Sequence, residues 1–426
     1  MIRRTTAARG LALAAVLSVG LAACSTTTES GGGDEGGSQD PLVVGTILPL
    51  TGTLAFLGPP EVAGVGLAVD DINAAGGVLG NDVSLEQGDS GDTTDTSVAQ
   101  QTATDLISKG VQVVIGAASS GVSLNVVDQF TEAGVMQISP ANTATDLSGI
   151  SDFFTRTAPP DTVQGAALGS LILDGGHQKV AMIVQDEAYG NGLRDNIQEA
   201  IEAGGGEVVY GASGAGDEFP PGESNFSGIV NDALAAEPDA IAVIAFEETK
   251  AIVTELTSQG WDFNGTTYFC DGNTASYEED FDPGTLEGVV GTIPGAQAPD
   301  EFRDRVSGWY EENEGEALSD FSYAPESYDA VILAALAAVR GEGTDGATIS
   351  ENIKAVSGAE GGTEVTSFEE GVEALEAGDE IHYVGQSGVG PLNDQNDPTS
   401  AFIGVYKYDD KNVNVFERSI EGEVAP

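Results

Sequence analysis

From Pro41 onward the chain repeats one pattern: a short run of β-branched residues, then a longer stretch whose apolar positions return every three or four residues. "LVVGTIL", "VSLEQ", "VQVVIGA" and "VMQISP" read as strands, with "EVAGVGLAVDDINAAGG", "SVAQQTATDLISKG" and "GVSLNVVDQFTEAG" as the helices between them. Strands alternating with helices of this length predict a doubly wound parallel sheet. The pattern restarts after "FFTRTAPPD", with "KVAMIVQD", "EVVYGA", "AIAVIAF" and "TTYFCDG" as the second set of strands. The fold class is therefore α/β, with two doubly wound lobes.

Beyond "GVVGTIP" the pattern changes. "PDEFRDRVSGWYEENEG", "SYDAVILAALAAVRG" and "ISENIKAVSG" are helical with no clear strand between them, and are expected to cover one lobe. The apolar run from Val331 to Val339 is too short to cross a bilayer. The chain then ends in "YVGQSGVGPLNDQNDPTSAFIGVYKYDDKNVNVFERSI", whose alternation and Asn-Asp-Pro turn signals predict hairpins added to the second lobe.

Composition narrows the partners. The sequence has 69 acidic and 15 basic side chains, a formal net charge of -54, so nucleic acid and anionic lipid surfaces are repelled over most of the molecule. The acidity reads as a strongly hydrated surface suited to salty surroundings. The N-terminus is set apart from the fold: "MIRRTTAARG" and "LALAAVLSVGLAA" form a basic region and a short apolar stretch, an export signal over residues 1–23. "LAAC" at Leu21–Cys24 resembles the bacterial lipobox, which implies cleavage before Cys24 and its lipidation. Residues 24–40, rich in Gly, Ser and acids, are expected to form a flexible tether.

Candidate chemistry is sparse. After processing only Cys270 remains besides the lipidated residue, so no intramolecular disulfide is expected, and its apolar strand setting marks it as a small buried side chain. His177 and His382 are too few for a histidine-rich metal cluster. "GEGTDG" at Gly341–Gly346 has the spelling of a dinucleotide fingerprint but follows a helix, and reads as a loop. No Gly-x-Ser-x-Gly elbow occurs. No metal, cofactor or catalytic residue is expected, and the chain is not read as an enzyme. One stretch does suggest binding: in "VVIGAASSGVSLNVV", Val113–Val127, a strand runs through small hydroxyl residues into a helix, exposing amides and the positive helix end to an anion.

"GTILPLTGTLAFLGPPEVAGVGLAVDDINAAGGVLGN", "VVIGAASSGVS", "ISPANTATDL", "FFTRTAPPD" and "AYGNGLRD" together resemble the type I periplasmic binding proteins, close to the leucine/isoleucine/valine-binding branch. The resemblance covers nearly all of the mature chain. It implies two lobes joined by three crossovers, near "FFTRTAPP", near "VVGTIPG" and between Gly358 and Phe368. Lobe 1 is then 41–158 with 292–362, and lobe 2 is 159–291 with 363–426. It implies a monomer that closes on an amino acid and passes it to an ABC permease and ATPase complex, touching the membrane through its lipid anchor only. The alternatives left open are short amides, urea or aromatic acids as ligands, or a tethered ligand sensor.

The same resemblance supplies candidate site residues. Ser120 and Thr143 match hydroxyl positions that hold the ligand carboxylate, and Ala141 a backbone position whose carbonyl accepts from the ammonium. Asp271 matches the carboxylate that pairs with the ammonium, with Glu247 and Glu248 next in line. Tyr189, Phe246 and Tyr323 match aromatic wall positions, whereas Leu57 stands where that branch commonly has an aromatic. The family's first-lobe disulfide positions are Gly91 and Ser119 here.

Replacing Cys24 with Ser is expected to abolish lipidation and release the protein from the membrane. Fractionation of cells carrying each form checks this, and a Cys24→Ser protein as firmly bound as the parent contradicts it.

Overall fold

The computed structural model describes residues 40–423; the signal segment, Cys24 and the tether lie outside the described residues. The first sheet holds β1 (Val43–Ile47), β2 (Ser84–Glu86), β3 (Val113–Gly116), β4 (Met136–Ser139) and β5 (Phe154–Arg156), all parallel in the order β2-β1-β3-β4-β5. Between them run α1 (Gly58–Ala74), α2 (Ser97–Ser108) and α3 (Ser120–Ala133). Every residue of β3 and β4 is buried, as expected of short apolar runs in a sheet covered on both faces.

The second sheet follows α4 (Asp161–Asp174). It takes in β6 (Lys179–Val184), α5 (Ala188–Ala203), β7 (Glu207–Tyr210), α6 (Ser227–Ala235), β8 (Ala240–Ile244), α7 (Thr249–Ser258), β9 (Thr267–Phe269) and β10 (Val290–Pro294). The chain then supplies α8 (Asp300–Glu314), α9 (Ala324–Arg340) and α10 (Gly346–Val356) to the first lobe. Fifteen of the seventeen residues of α9 are buried, so the apolar run seen in the sequence is a core helix. Among the described residues no helix is long and apolar enough to cross a membrane. Glycines let α1 sit close to its neighbours: a Cβ at Gly64 would collide with the Ala324 carbonyl, and one at Gly66 with the Trp309 ring.

The last crossover falls later than the resemblance implied. β11 (Thr363–Val365), α11 (Phe368–Glu376) and β12 (Ile381–Tyr383) bury Val365, Phe368, Ile381 and Tyr383 in the first-lobe core, and Val389 and Leu392 join the same cluster. Passage into the second sheet comes only between Leu392 and Ser400, where β13 (Ser400–Tyr408) pairs antiparallel with β10, and β14 (Asn414–Glu423) with β13. The full order is β14-β13-β10-β9-β8-β6-β7. The terminal hairpin is thus an edge addition to the second lobe.

Arg156, at the end of β5, is the largest fully buried side chain described. Its Nε donates to Asp397 Oδ1 at 2.6 Å, its Nη1 to the carbonyls of Asn142 (3.2 Å) and Ala144 (2.9 Å), and its Nη2 to Ser148 Oγ at 2.8 Å. One guanidinium therefore ties the returning 393–397 segment to the loop after β4. Arg156→Ala is expected to cost about 3–5 kcal/mol, because Asp397 would be left as an unpaired buried charge. Denaturant unfolding checks this, and a loss below about 1 kcal/mol contradicts it.

Candidate functional site

The carboxyl ends of the central strands in both sheets point toward one another. In doubly wound folds that is where ligands bind, since the loops there leave backbone groups and helix N-termini unpaired by the sheet. From the first lobe come Ala118, Ser119 and Ser120 after β3, Ala141 after β4, and Leu54 and Leu57 ahead of α1. The second lobe contributes Tyr189 after β6, Phe246 after β8, and Asp271 and Gly272 after β9, while Tyr323 comes from the start of α9. Together they enclose a cavity of about 20 Å³. A larger one, about 410 Å³, lies beside it at the β10–α8 crossover, with Tyr323 in the walls of both.

Asp271 is the chemical centre of the smaller cavity. Tyr189 Oη donates to its Oδ1 and Tyr323 Oη to its Oδ2, each at 2.7 Å. Burial pushes the Asp271 carboxyl above its ordinary range, and the hydrogen bonds from Tyr189, Tyr323 and Gln164 pull it part of the way back. Tyr189 also stacks on Phe246 with centroids 5.5 Å apart at 14°, which fixes the phenol that holds Asp271. The aromatic residues are thus a wall and a support for the carboxylate at once. Leu57 lines the cavity at the position where that branch commonly has an aromatic, and Leu54 lies in the same aliphatic wall.

The small-residue turn is more engaged than its sequence suggested. Ser119, not Ser120, is the N-cap of α3, accepting from Val122 N at 3.3 Å. Ser120 Oγ accepts from Ala144 N at 3.3 Å and so ties the β3 loop to the β4 loop while lining the cavity. The amide of Gly121, expected to serve a ligand carboxylate, donates at 2.6 Å to Glu187 Oε1 of the second lobe. Thr143 is buried and does not line the cavity; its carbonyl accepts from Asp161 N at 2.7 Å.

Two carboxylates escaped the sequence reading. Glu187 lies directly before Ala188 and caps α5 by accepting from Tyr189 N at 2.6 Å. Asp161 opens α4, is fully buried, and has its proton affinity raised well above the ordinary range, first by burial and next by the charge of Asp271. An acid at each helix start was the available signal. The reserve acceptors are committed elsewhere: Glu248 Oε1 accepts from Gln185 Nε2 at 3.2 Å and Gly222 N at 2.9 Å, and Glu247 is on the surface near Lys250.

Cys270 is fully buried against Val243 and Asn273, and burial raises its thiol far above the usual range, so it is a core side chain. Among the described residues no group of three or more His, Cys, Asp or Glu side chains is arranged to hold a metal ion.

Two α/β lobes, three crossovers and a pocket between strand ends define the class of two-lobed solute-binding proteins. The chain belongs to the periplasmic binding protein family, whose sequence model matches residues 41–373. It is 33% identical over 204 residues to the Leu/Ile/Val-binding protein BraC3 of Rhizobium johnstonii, a match covering 47% of this chain and 53% of that one. The chain therefore spans about half the length of that relative. It is 27% identical over 380 residues to the chemotactic signal transduction system substrate-binding protein BasB of Halobacterium salinarum, covering 85% and 86% of the two chains. In fold it is similar to the branched-chain amino acid transporter substrate binding protein LivJ of Streptococcus pneumoniae, solved with isoleucine, at a TM-score of 0.68, 22% identity, and coverage of 90% and 100%.

Proposed function

We propose that the protein is an extracytoplasmic solute-binding lipoprotein that closes its lobes on a branched-chain or similar amino acid and delivers it to an ABC permease and ATPase complex. The observation that carries this reading is Asp271, a buried carboxylate held at each oxygen by a phenol and facing first-lobe loops across the cleft. A buried carboxylate gains most from a cationic partner, and an α-ammonium fits that place. Ser120 and the 141–144 loop lie opposite to receive the α-carboxylate, with Thr143 supporting that loop from behind. Leu54, Leu57, Phe246 and Tyr323 offer the side chain an apolar wall once the cavity, about 20 Å³ in this closed arrangement, widens to admit it. The chain acts as a monomer, without enzymatic activity, anchored through Cys24. The match to BraC3 and the likeness to the isoleucine-bound LivJ support an aliphatic amino acid.

A second reading, a lipid-tethered sensor, is favoured by similarity to BasB over most of the chain. Both readings use the same solute site. Uptake of labelled leucine by cells lacking the protein separates them: transport requires the protein in the first case only.

With L-leucine at about 100-fold above Kd, binding linkage should stabilise the fold by roughly 2.7 kcal/mol, visible by thermal shift. In calorimetry, Asp271→Ala is expected to lose on the order of 3–5 kcal/mol, leaving the ammonium buried and unpaired, and Ser120→Ala roughly 1.5–3 kcal/mol. If Asp271→Ala binds leucine as tightly as the parent, the ammonium acceptor lies elsewhere. Stabilisation by a sugar or a metal, with none from any amino acid, overturns the proposal itself.

A further inference from the structure

The amide that opens α3 looks outward from the first lobe, yet its acceptor belongs to the second. Glu187 Oε1 accepts from Gly121 N at 2.6 Å and lies 3.2 Å from Ser119 Oγ, while its Oε2 accepts from Tyr189 N at 2.6 Å. One carboxylate therefore caps two helices, α5 on its own lobe and α3 across the cleft. The fit is close on both sides: a Cβ on Gly121 would overlap Glu187 Oε1 and come within 2.8 Å of Thr93 Cγ2. Glu187 is only 7% exposed, so this bond is shielded from water and from counter-ions. Helix starts carry positive partial charge, and charge-assisted bonds to backbone amides are among the stronger hydrogen bonds. Rotation of the lobes apart would break the Gly121 and Ser119 contacts and leave the Tyr189 contact intact, because only the latter is made within one lobe.

We propose that Glu187 is an interlobe latch: a positioning residue that stabilises the closed arrangement by bonding across the cleft to Gly121 and Ser119, and so sets solute affinity through closure. This inference rests on the reading of the pocket as a solute site. It also assigns the Gly121 amide to the protein's own carboxylate, leaving Ser120 and the 141–144 loop as the place for a solute's anionic end.

Three variants test the latch. Glu187→Ala removes both caps, Glu187→Gln keeps an oxygen for Tyr189 N but loses the charge, and Gly121→Ala pushes the lobes apart while leaving the α5 cap untouched. Small-angle X-ray scattering without solute and with saturating L-leucine reads the lobe arrangement, and calorimetry with L-leucine reads affinity. Glu187→Ala and Gly121→Ala are each expected to shift the solute-free scattering toward an expanded, open form and to weaken leucine about 10- to 100-fold, with Glu187→Gln between them and the parent. The double variant should be little worse than either single one, since both break the same contact. Scattering from both single variants that superposes on the parent's, or fully additive losses, overturns the latch. If the parent binds no amino acid but the variants still open, the latch stands and the solute assignment fails.

Discussion

A carboxylate buried where two lobes meet must find its donors there, and the architecture of the cleft follows from that constraint. Asp271 sits at the end of β9 with a phenol from each flank, Tyr189 from the second lobe and Tyr323 from the start of α9, which packs on the first. Both rings are in turn fixed by packing, Tyr189 by its stack on Phe246 and Tyr323 by the apolar cluster it shares with Leu54 and Leu57. The wall residues and the charged residue therefore form one unit. Under the proposed reading, a solute ammonium brought to Asp271 would meet an acceptor already held at both oxygens by phenols.

Around this centre the protein concentrates negative charge. Asp161 and Glu187 are buried near Asp271, and the neighbouring guanidinium, Arg156, is already engaged with Asp397 and three further oxygens. Glu187 is satisfied by amides, and the proton affinity of Asp161 is raised well above its ordinary range, first by burial and next by the charge of Asp271. Of the three, Asp271 is the one that lines the cavity, with neutral phenols as the donors to both its oxygens. The sign of the whole chain, with 69 acidic against 15 basic side chains, is carried mostly on the surface and is a separate matter of solvation.

Much of the fold could be read from periodicity, because buried strands such as "VVIGA" and "AIAVIAF" are short, β-branched and bounded by small residues. Which lobe a segment joins is another matter. β11, α11 and β12 have the same local pattern as any other strand-helix-strand unit, and only the burial of Phe368 and Tyr383 against α9 and α10 assigns them to the first lobe. Seven of the eight cleft positions inferred from the resemblance line one cavity; Thr143 lies one layer behind, where it contacts Asp161. Glu187 was out of reach for a physical reason. In sequence it is an ordinary helix cap, and its second partner, Gly121, is 66 residues away on the other lobe.

The central claim is that Asp271 pairs with the ammonium of a free amino acid, and native mass spectrometry of the protein purified without denaturation tests it most directly. The account predicts a bound species with the mass of an unmodified amino acid, displaced by added leucine, isoleucine or valine and absent from Asp271→Ala. A bound sugar, a metal ion or an acid lacking an amino group, retained equally by Asp271→Ala, would contradict it.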